Sequence, residues 1–81
     1  MKTEHPKSNE AAAAEVEALA IQAAEDRAEQ RFDAVRAALE SEGRAHEATR
    51  SREFHEWMDA RSRTDDAWGR WAMAVDASRP A

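Results

Sequence analysis

The chain has 81 residues, room for one small domain at most, and its 17 acidic and 12 basic side chains give a formal net charge of −5. This balance argues against the broad basic surface of a dedicated nucleic-acid binder, and the absence of cysteine excludes disulfides, thiolate metal sites and thiol catalysis. The sequence contains no run of 18 apolar residues and no signal-peptide core near residue 1. We therefore expect a cytoplasmic protein that does not associate with membranes.

Residues that break helices are rare in this chain, which has two glycines and two prolines. Alanine, glutamate and arginine favour helices and are abundant, and no alternating run of β-branched residues indicates a strand. The composition predicts an all-α fold, specifically a long helical hairpin. We expect 1–8 to be a disordered lead, 9–77 to be a single helical-hairpin domain and 78–81 to be a frayed tail.

The first predicted helix spans about residues 9–42. Ser8 or Asn9 is expected to cap its free N-terminal amides, and Gly43 is expected to close it in the left-handed conformation. At 1.5 Å per residue this helix is about 50 Å long, too long for the remaining chain to wrap into a compact globule. The hairpin is therefore expected to turn at Gly43.

The predicted first helix carries two apolar rows. The main row has the spacing of a buried face and consists of Ile21, Ala24, Ala28, Phe32, Val35 and Leu39. The second row lies about 160° around the helix, at 100° per residue, and consists of Ala12, Val16, Leu19, Ala23, Ala34 and Ala37. Two apolar rows predict two neighbours for this helix.

The polar side of the same helix is acidic, since residues 9–42 carry nine acidic side chains and three arginines. The residues that we expect to form an acidic face are Glu25, Asp26, Glu29, Asp33 and Glu40. Such a face suggests one alternative function. It would imitate a phosphate backbone and make the protein an acidic inhibitor that docks into a basic groove of a nucleic-acid-handling complex.

The second half of the hairpin is predicted to span residues 44–77. One face carries apolar residues at steps of three and four, namely Phe54, Trp57, Met58, Trp68, Trp71, Ala72 and Val75. Polar residues interrupt this face at 61–65, where Ser62 or Thr64 would cap a new helix if the chain broke near 62–64. The face stays in phase across the interruption, which favours a continuous or mildly kinked helix.

Arginines from Arg44 to Arg63 suggest a second alternative, weak binding of nucleic acid. Acidic residues interleave with these arginines at helical neighbour spacing, which favours ion pairs within the helix over an open basic stripe. Nucleic acid is therefore not expected as a main partner.

Neither metal binding nor catalysis is expected. His55-Glu56 resembles the start of a zinc-protease helix motif, but Asp59 stands where that motif needs its second histidine. Two ligands on one helix are insufficient for zinc. The sequence has no nucleophile elbow, phosphate-binding glycine loop or dinucleotide fingerprint. We predict no catalytic residues, no cofactor and no metal ligands.

The bulky apolar content predicts self-association. Thirteen bulky apolar residues beyond Met1 are too few to offset the entropy of ordering about 70 residues, so a second chain is expected to supply buried surface. We predict an interaction module (an adaptor, regulator or assembly factor) that forms a homodimeric four-helix bundle and binds an unidentified protein. The candidate interface residues are Ile21, Phe32, Val35, Leu39, Trp68 and Trp71. Ten arginines against two lysines, with abundant alanine, suggest a bacterial or phage source.

Overall fold

The computed structural model describes residues 6–79 and consists of two long helices joined by a short connection. Helix α1 spans Pro6–Ser41 and helix α2 spans Arg52–Ala77, with a 3-10 helix over Ala45–Arg50 between them. The two long helices pack against each other along their lengths as a hairpin, and residues 6–79 contain no strand. The predicted all-α helical hairpin is confirmed.

The start of α1 lies earlier than the sequence pattern suggested. The helix begins at Pro6, so residues 6–8 of the expected disordered lead are helical. Proline suits the first position of a helix because its fixed φ is helical and the amide proton it lacks would have no partner there. The rest of the expected lead, residues 1–5, and the last two residues of the expected tail lie outside the described residues.

The turn after α1 forms at Gly43, as predicted. Gly43 has φ +74°, the left-handed conformation that glycine adopts without steric cost. The amide of Arg44 donates to the carbonyl of Leu39 at 2.8 Å, and the amide of Gly43 donates to the carbonyl of Glu40 at 3.1 Å. These two bonds form a Schellman motif, which satisfies the last carbonyls of α1 and reverses the chain.

The second half of the hairpin begins differently from the prediction of one helix over residues 44–77. Residues 45–50 form the 3-10 helix, and α2 starts at Arg52. Ser51 separates them: its hydroxyl accepts a hydrogen bond from the amide of Phe54 at 3.1 Å and donates to the carbonyl of Ala48 at 2.7 Å. One side chain therefore caps both the end of the 3-10 helix and the start of α2.

Helix α2 is continuous through residues 61–65, and the alternative break near 62–64 does not occur. Thr64 does not cap a new helix. Its side chain is buried, and its hydroxyl donates to the carbonyl of Ala60, four residues earlier, at 3.1 Å. Because the helix itself provides this partner, the threonine is accommodated in the packed face without interrupting the backbone.

Ser51→Ala is expected to lower the free energy of unfolding by about 1 kcal/mol, because it removes the acceptor for the first-turn amide of α2. Urea denaturation followed by circular dichroism would measure the loss. Ser41→Ala is the matched control, since that hydroxyl only donates to the Ala38 carbonyl at the end of α1. Equal effects of the two substitutions would contradict the capping role of Ser51.

The interface between the helices is lined mainly by small residues. The less exposed positions of α1 include a row at alternating steps of three and four: Ala11, Ala14, Ala18, Ile21, Glu25, Ala28, Phe32, Val35 and Leu39. Those of α2 include the same pattern at Trp57, Ala60, Thr64, Ala67, Trp71, Ala74 and Ser78. We call these two rows the seam. Their spacing is the heptad repeat of an antiparallel coiled coil.

The main apolar row of α1 faces α2, with one difference from the prediction. Ala28 and Phe32 are buried, whereas Ala24, expected in this row, is exposed. Glu25, expected on the polar side, is half-buried in its place. A heptad pattern repeats every 3.5 residues, whereas a straight helix has 3.6 residues per turn, so the packed face moves gradually around the helix. At this point of α1 the packed face therefore includes residue 25 and not residue 24.

Candidate interaction surfaces

The bulky part of the core is an aromatic cluster in the half of the hairpin nearest the turn. Phe32 is 6% exposed and stacks on Trp57, with ring centroids 5.2 Å apart, and it meets the ring of Phe54 at 5.4 Å. The guanidinium of Arg61 lies 5.8 Å from the Trp57 ring centroid, within the range of a cation–π contact. This cluster joins α1 to α2 and is the main aromatic contribution to the hairpin's own stability.

The opposite half of the hairpin, which we call the open end, carries two polar contacts between the helices in addition to the packed seam. The indole N–H of Trp68 donates to the side-chain oxygen of Gln22 at 2.9 Å, and the guanidinium of Arg70 lies 3.7 Å from the carboxylate of Glu17. Residues two apart on a helix point about 200° apart, so these contacts lie on opposite flanks of the seam. One flank of the open end is thus closed by an ion pair and the other by a neutral hydrogen bond.

Bulky apolar side chains are exposed at this open end. Val16 is 69% exposed and Leu19 is 51% exposed on α1, and Met73 is 73% exposed on α2. Val16 and Leu19 belong to the predicted second apolar row, and all six members of that row are exposed. We use the name open-end row for its four members at this end of the hairpin, which are Ala12, Val16, Leu19 and Ala23.

The predicted interface residues lie on the side of each helix that packs within the hairpin. Phe32 is buried, and the other five are half-buried: Ile21, Val35, Leu39, Trp68 and Trp71. The rings of Trp68 and Trp71 pack edge to face at 5.5 Å. Their role toward a second chain stays a prediction. The sequence pattern did not predict the more exposed Val16, Leu19 and Met73 as interface residues, although the second apolar row of α1 contained the first two.

The predicted acidic face is present but partly neutralised. Asp26, Asp33 and Glu40 are exposed, and Glu25 and Glu29 are half-buried. Arg36 reaches Glu40 at 3.0 Å and Asp33 at 3.5 Å, and the hydrogen bond to Glu40 is the main cause of a raised pKa of the Arg36 guanidinium. This arginine reduces the free negative charge of the turn-proximal half of the face.

Ion pairs form along part of the arginine-containing stretch, as its interleaved acids predict. Arg44 contacts Glu47 at 2.7 Å and Glu42 at 2.9 Å, and hydrogen bonds from Arg44 lower the pKa of the Glu47 carboxyl. Arg52 lies 3.6 Å from Glu53 and 3.7 Å from Glu56. Two of the stretch's arginines are therefore engaged with neighbouring carboxylates, which works against an open phosphate-binding stripe.

A shallow groove of about 410 Å³ runs over the middle of the seam. Its lining combines small and charged side chains and consists of the seam residues Ala28 and Ala60, the neighbouring Ala24, and Arg31, Arg63, Glu56 and Asp59. Two positive and two negative side chains balance each other there. The groove therefore has no strong preference for a ligand of one charge.

Clusters of metal-ligating side chains and membrane-spanning helices are both absent from the described part of the chain. No three histidine, aspartate or glutamate side chains among residues 6–79 come together in a way that would hold a metal ion. His55 and Asp59, one turn apart on α2, gain no third ligand there. Neither long helix, over the stretch that the structure describes, is both long and apolar enough to cross a bilayer.

The fold defines an all-α helical hairpin with a small-residue seam, an aromatic cluster near the turn and an exposed apolar row at the open end. Comparisons with models of protein families, with curated proteins and with solved structures find no match to this chain. The case for a function therefore rests on the surfaces of the hairpin itself.

Proposed function

We propose that this protein is a small non-enzymatic interaction module, an adaptor, regulator or assembly factor, that acts as a helical homodimer. The observation that carries the proposal is its large surface. The single chain exposes 6032 Å², whereas a compact monomer of 9.1 kDa exposes about 4900 Å². The excess of about 1100 Å² is of the size that one partner buries in a standard protein–protein interface, about 800 Å².

The composition of the core supports the same proposal. Its buried apolar residues are five alanines and Phe32, and no large side chain among the described residues is less than 2% exposed. Alanine methyl groups contribute little apolar area, so the hairpin alone gains modest hydrophobic stabilisation. A second copy that covers the exposed apolar row would add the burial that the isolated hairpin lacks.

The two alternative functions, an acidic inhibitor and a weak nucleic-acid binder, have less support. An acidic inhibitor needs free negative charge, and Arg36 engages two of the five residues of the predicted acidic face. A nucleic-acid binder needs free arginines, and Arg44 and Arg52 contact neighbouring carboxylates. Apolar association between chains requires neither condition, which is why the homodimer is preferred.

Light scattering after gel filtration at micromolar concentration is expected to give about twice the chain mass of 9.1 kDa. Because folding and association are linked in such a dimer, the melting temperature is also expected to rise with protein concentration. A monomeric mass together with a cooperative transition that does not depend on concentration would contradict the proposal.

A further inference from the structure

We propose that the second copy packs against the open-end row of α1 in an antiparallel orientation, with the two-fold axis midway between Val16 and Leu19. This inference rests on the proposed homodimer and names its contact surface. The two central side chains are 69% and 51% exposed. No other pair of bulky apolar side chains on one helix of the described residues is exposed to this degree.

The spacing of the open-end row is self-complementary. Its residues follow one another at steps of four, three and four, with small side chains outside and bulky ones inside. A two-fold axis perpendicular to α1 at the centre of the row brings Val16 opposite the Leu19 of the second copy, and Ala12 opposite its Ala23. In a two-fold symmetric contact, if one residue of the first chain meets a second residue of its partner, the reverse contact also forms. Because the order of the row is the same from either end, small side chains meet small ones and bulky side chains meet bulky ones.

The flanks of the row favour the antiparallel orientation over the parallel one. In an antiparallel helix pair the same flank of each helix faces that of its partner, so Ala13 lies beside Ala20 of the second copy and Glu15 lies beside its Gln22. Two alanines on one flank let the helices approach closely, and the Gln22 amide is a neutral neighbour for the carboxylate. The dipoles of antiparallel neighbouring helices also attract each other, whereas those of parallel neighbours repel.

The flank next to the row extends the apolar surface. Leu19 precedes Gln22 by one turn, and Gln22 accepts the indole hydrogen bond of Trp68. One and two turns further along α2 stand Ala72 and Val75, on the same flank. The opposite flank carries the ion pair between Arg70 and Glu17. A second hairpin that covers the row and the tryptophan flank would therefore bury apolar side chains and leave the ion pair in water.

Cysteine cross-linking tests this surface, because the natural chain has no cysteine. The variants Ala12→Cys and Ala23→Cys are prepared separately, then mixed to exchange subunits and treated with a mild oxidant. We expect a disulfide-linked dimer from the mixture on a non-reducing gel. Each variant alone is expected to stay uncross-linked, since the two copies of residue 12 would lie about 16 Å apart along the helix axis.

The outcomes separate this inference from the homodimer itself. Cross-linking of Ala12→Cys alone would indicate a parallel pairing and overturn the inference. No cross-link in a sample that scatters light as a dimer would place the interface elsewhere, and would leave the proposed function standing. A monomer by light scattering would overturn both.

A pair of lysine variants provides a second measurement with a matched control. Val16→Lys is expected to raise the dimer dissociation constant by about 30-fold, the loss typical of a residue at the centre of an interface. Met73→Lys changes a side chain of similar exposure on the other helix, 73% against 69%, and is expected to leave dimerisation unchanged. Equal dissociation constants for the two variants would contradict the proposed surface.

Discussion

Replacement of Phe32 by alanine is expected to lower the free energy of unfolding by about 3–5 kcal/mol, the range for removing a buried aromatic side chain. Phe32 is the one bulky side chain among the buried apolar residues, and its ring contacts both Trp57 and Phe54 of α2. The turn-proximal halves of the helices would then lose their one buried bulky side chain and keep only half-buried ones, such as Val35, Leu39 and Trp57. Because a small domain has only about 5–15 kcal/mol of stability, this loss is expected to unfold much of the protein.

Denaturation with urea, followed by circular dichroism at 222 nm, would measure this loss. Met73→Ala is a suitable control, because it also truncates a large apolar side chain but at a site that is 73% exposed. Its effect is expected to stay within about 0.5 kcal/mol. If the two substitutions shifted the urea midpoint equally, the aromatic cluster would not be the main source of stability.

The sequence predicted the hairpin because its strongest signals are local. A glycine that follows a long stretch of helical apolar periodicity strongly predicts the end of a helix. Gly43 is such a residue, and it adopts the left-handed conformation there. The phase of the apolar face across residues 61–65 correctly predicted a continuous α2. Both signals depend on nearby residues only, and tertiary packing does not change them.

Features that depend on packing were not predicted. Ser51 is one of several possible caps in the second half, and its role follows from the 3-10 helix that precedes it. Glu25 replaces Ala24 in the seam because two helices that wind around each other use a 3.5-residue period, which a single straight helix does not show. The sequence pattern gives the periodicity of one helix, whereas the partner helix fixes its phase.

The sequence predicted the open-end row only in part, and the reason is again that packing between the helices decides the rest. Periodicity identified both apolar rows of α1, but bulk alone suggested that the Phe32 row would meet a second chain. In the structure α2 packs against that row, and Val16 and Leu19 of the other row are exposed. Which of two apolar rows stays free is decided by the register of the hairpin, and register depends on contacts between residues far apart in sequence.

Replacement of Ala18 by leucine is expected to open the hairpin at its open end and cost about 1–3 kcal/mol, the range for overpacking a filled interface. Ala18 is fully buried at 0% exposure, next to Glu17, whose carboxylate pairs with Arg70 of α2. Three more methyl-sized carbons at this point force the helices apart. The hydrogen bond between Trp68 and Gln22, one turn away, is then expected to break.

Two measurements would detect this change: the urea midpoint, and the tryptophan emission, which is expected to shift to longer wavelength as Trp68 becomes more exposed. Ala34→Leu is the matched control, since it makes the same substitution at an exposed position of α1, outside the open-end row. Leucine and alanine have similar helix propensities, so this control is expected to change stability by no more than about 0.5 kcal/mol. If Ala18→Leu were equally neutral, the small side chains of the seam would not be what sets the distance between the helices, and the hairpin would be held mainly by the aromatic cluster near the turn.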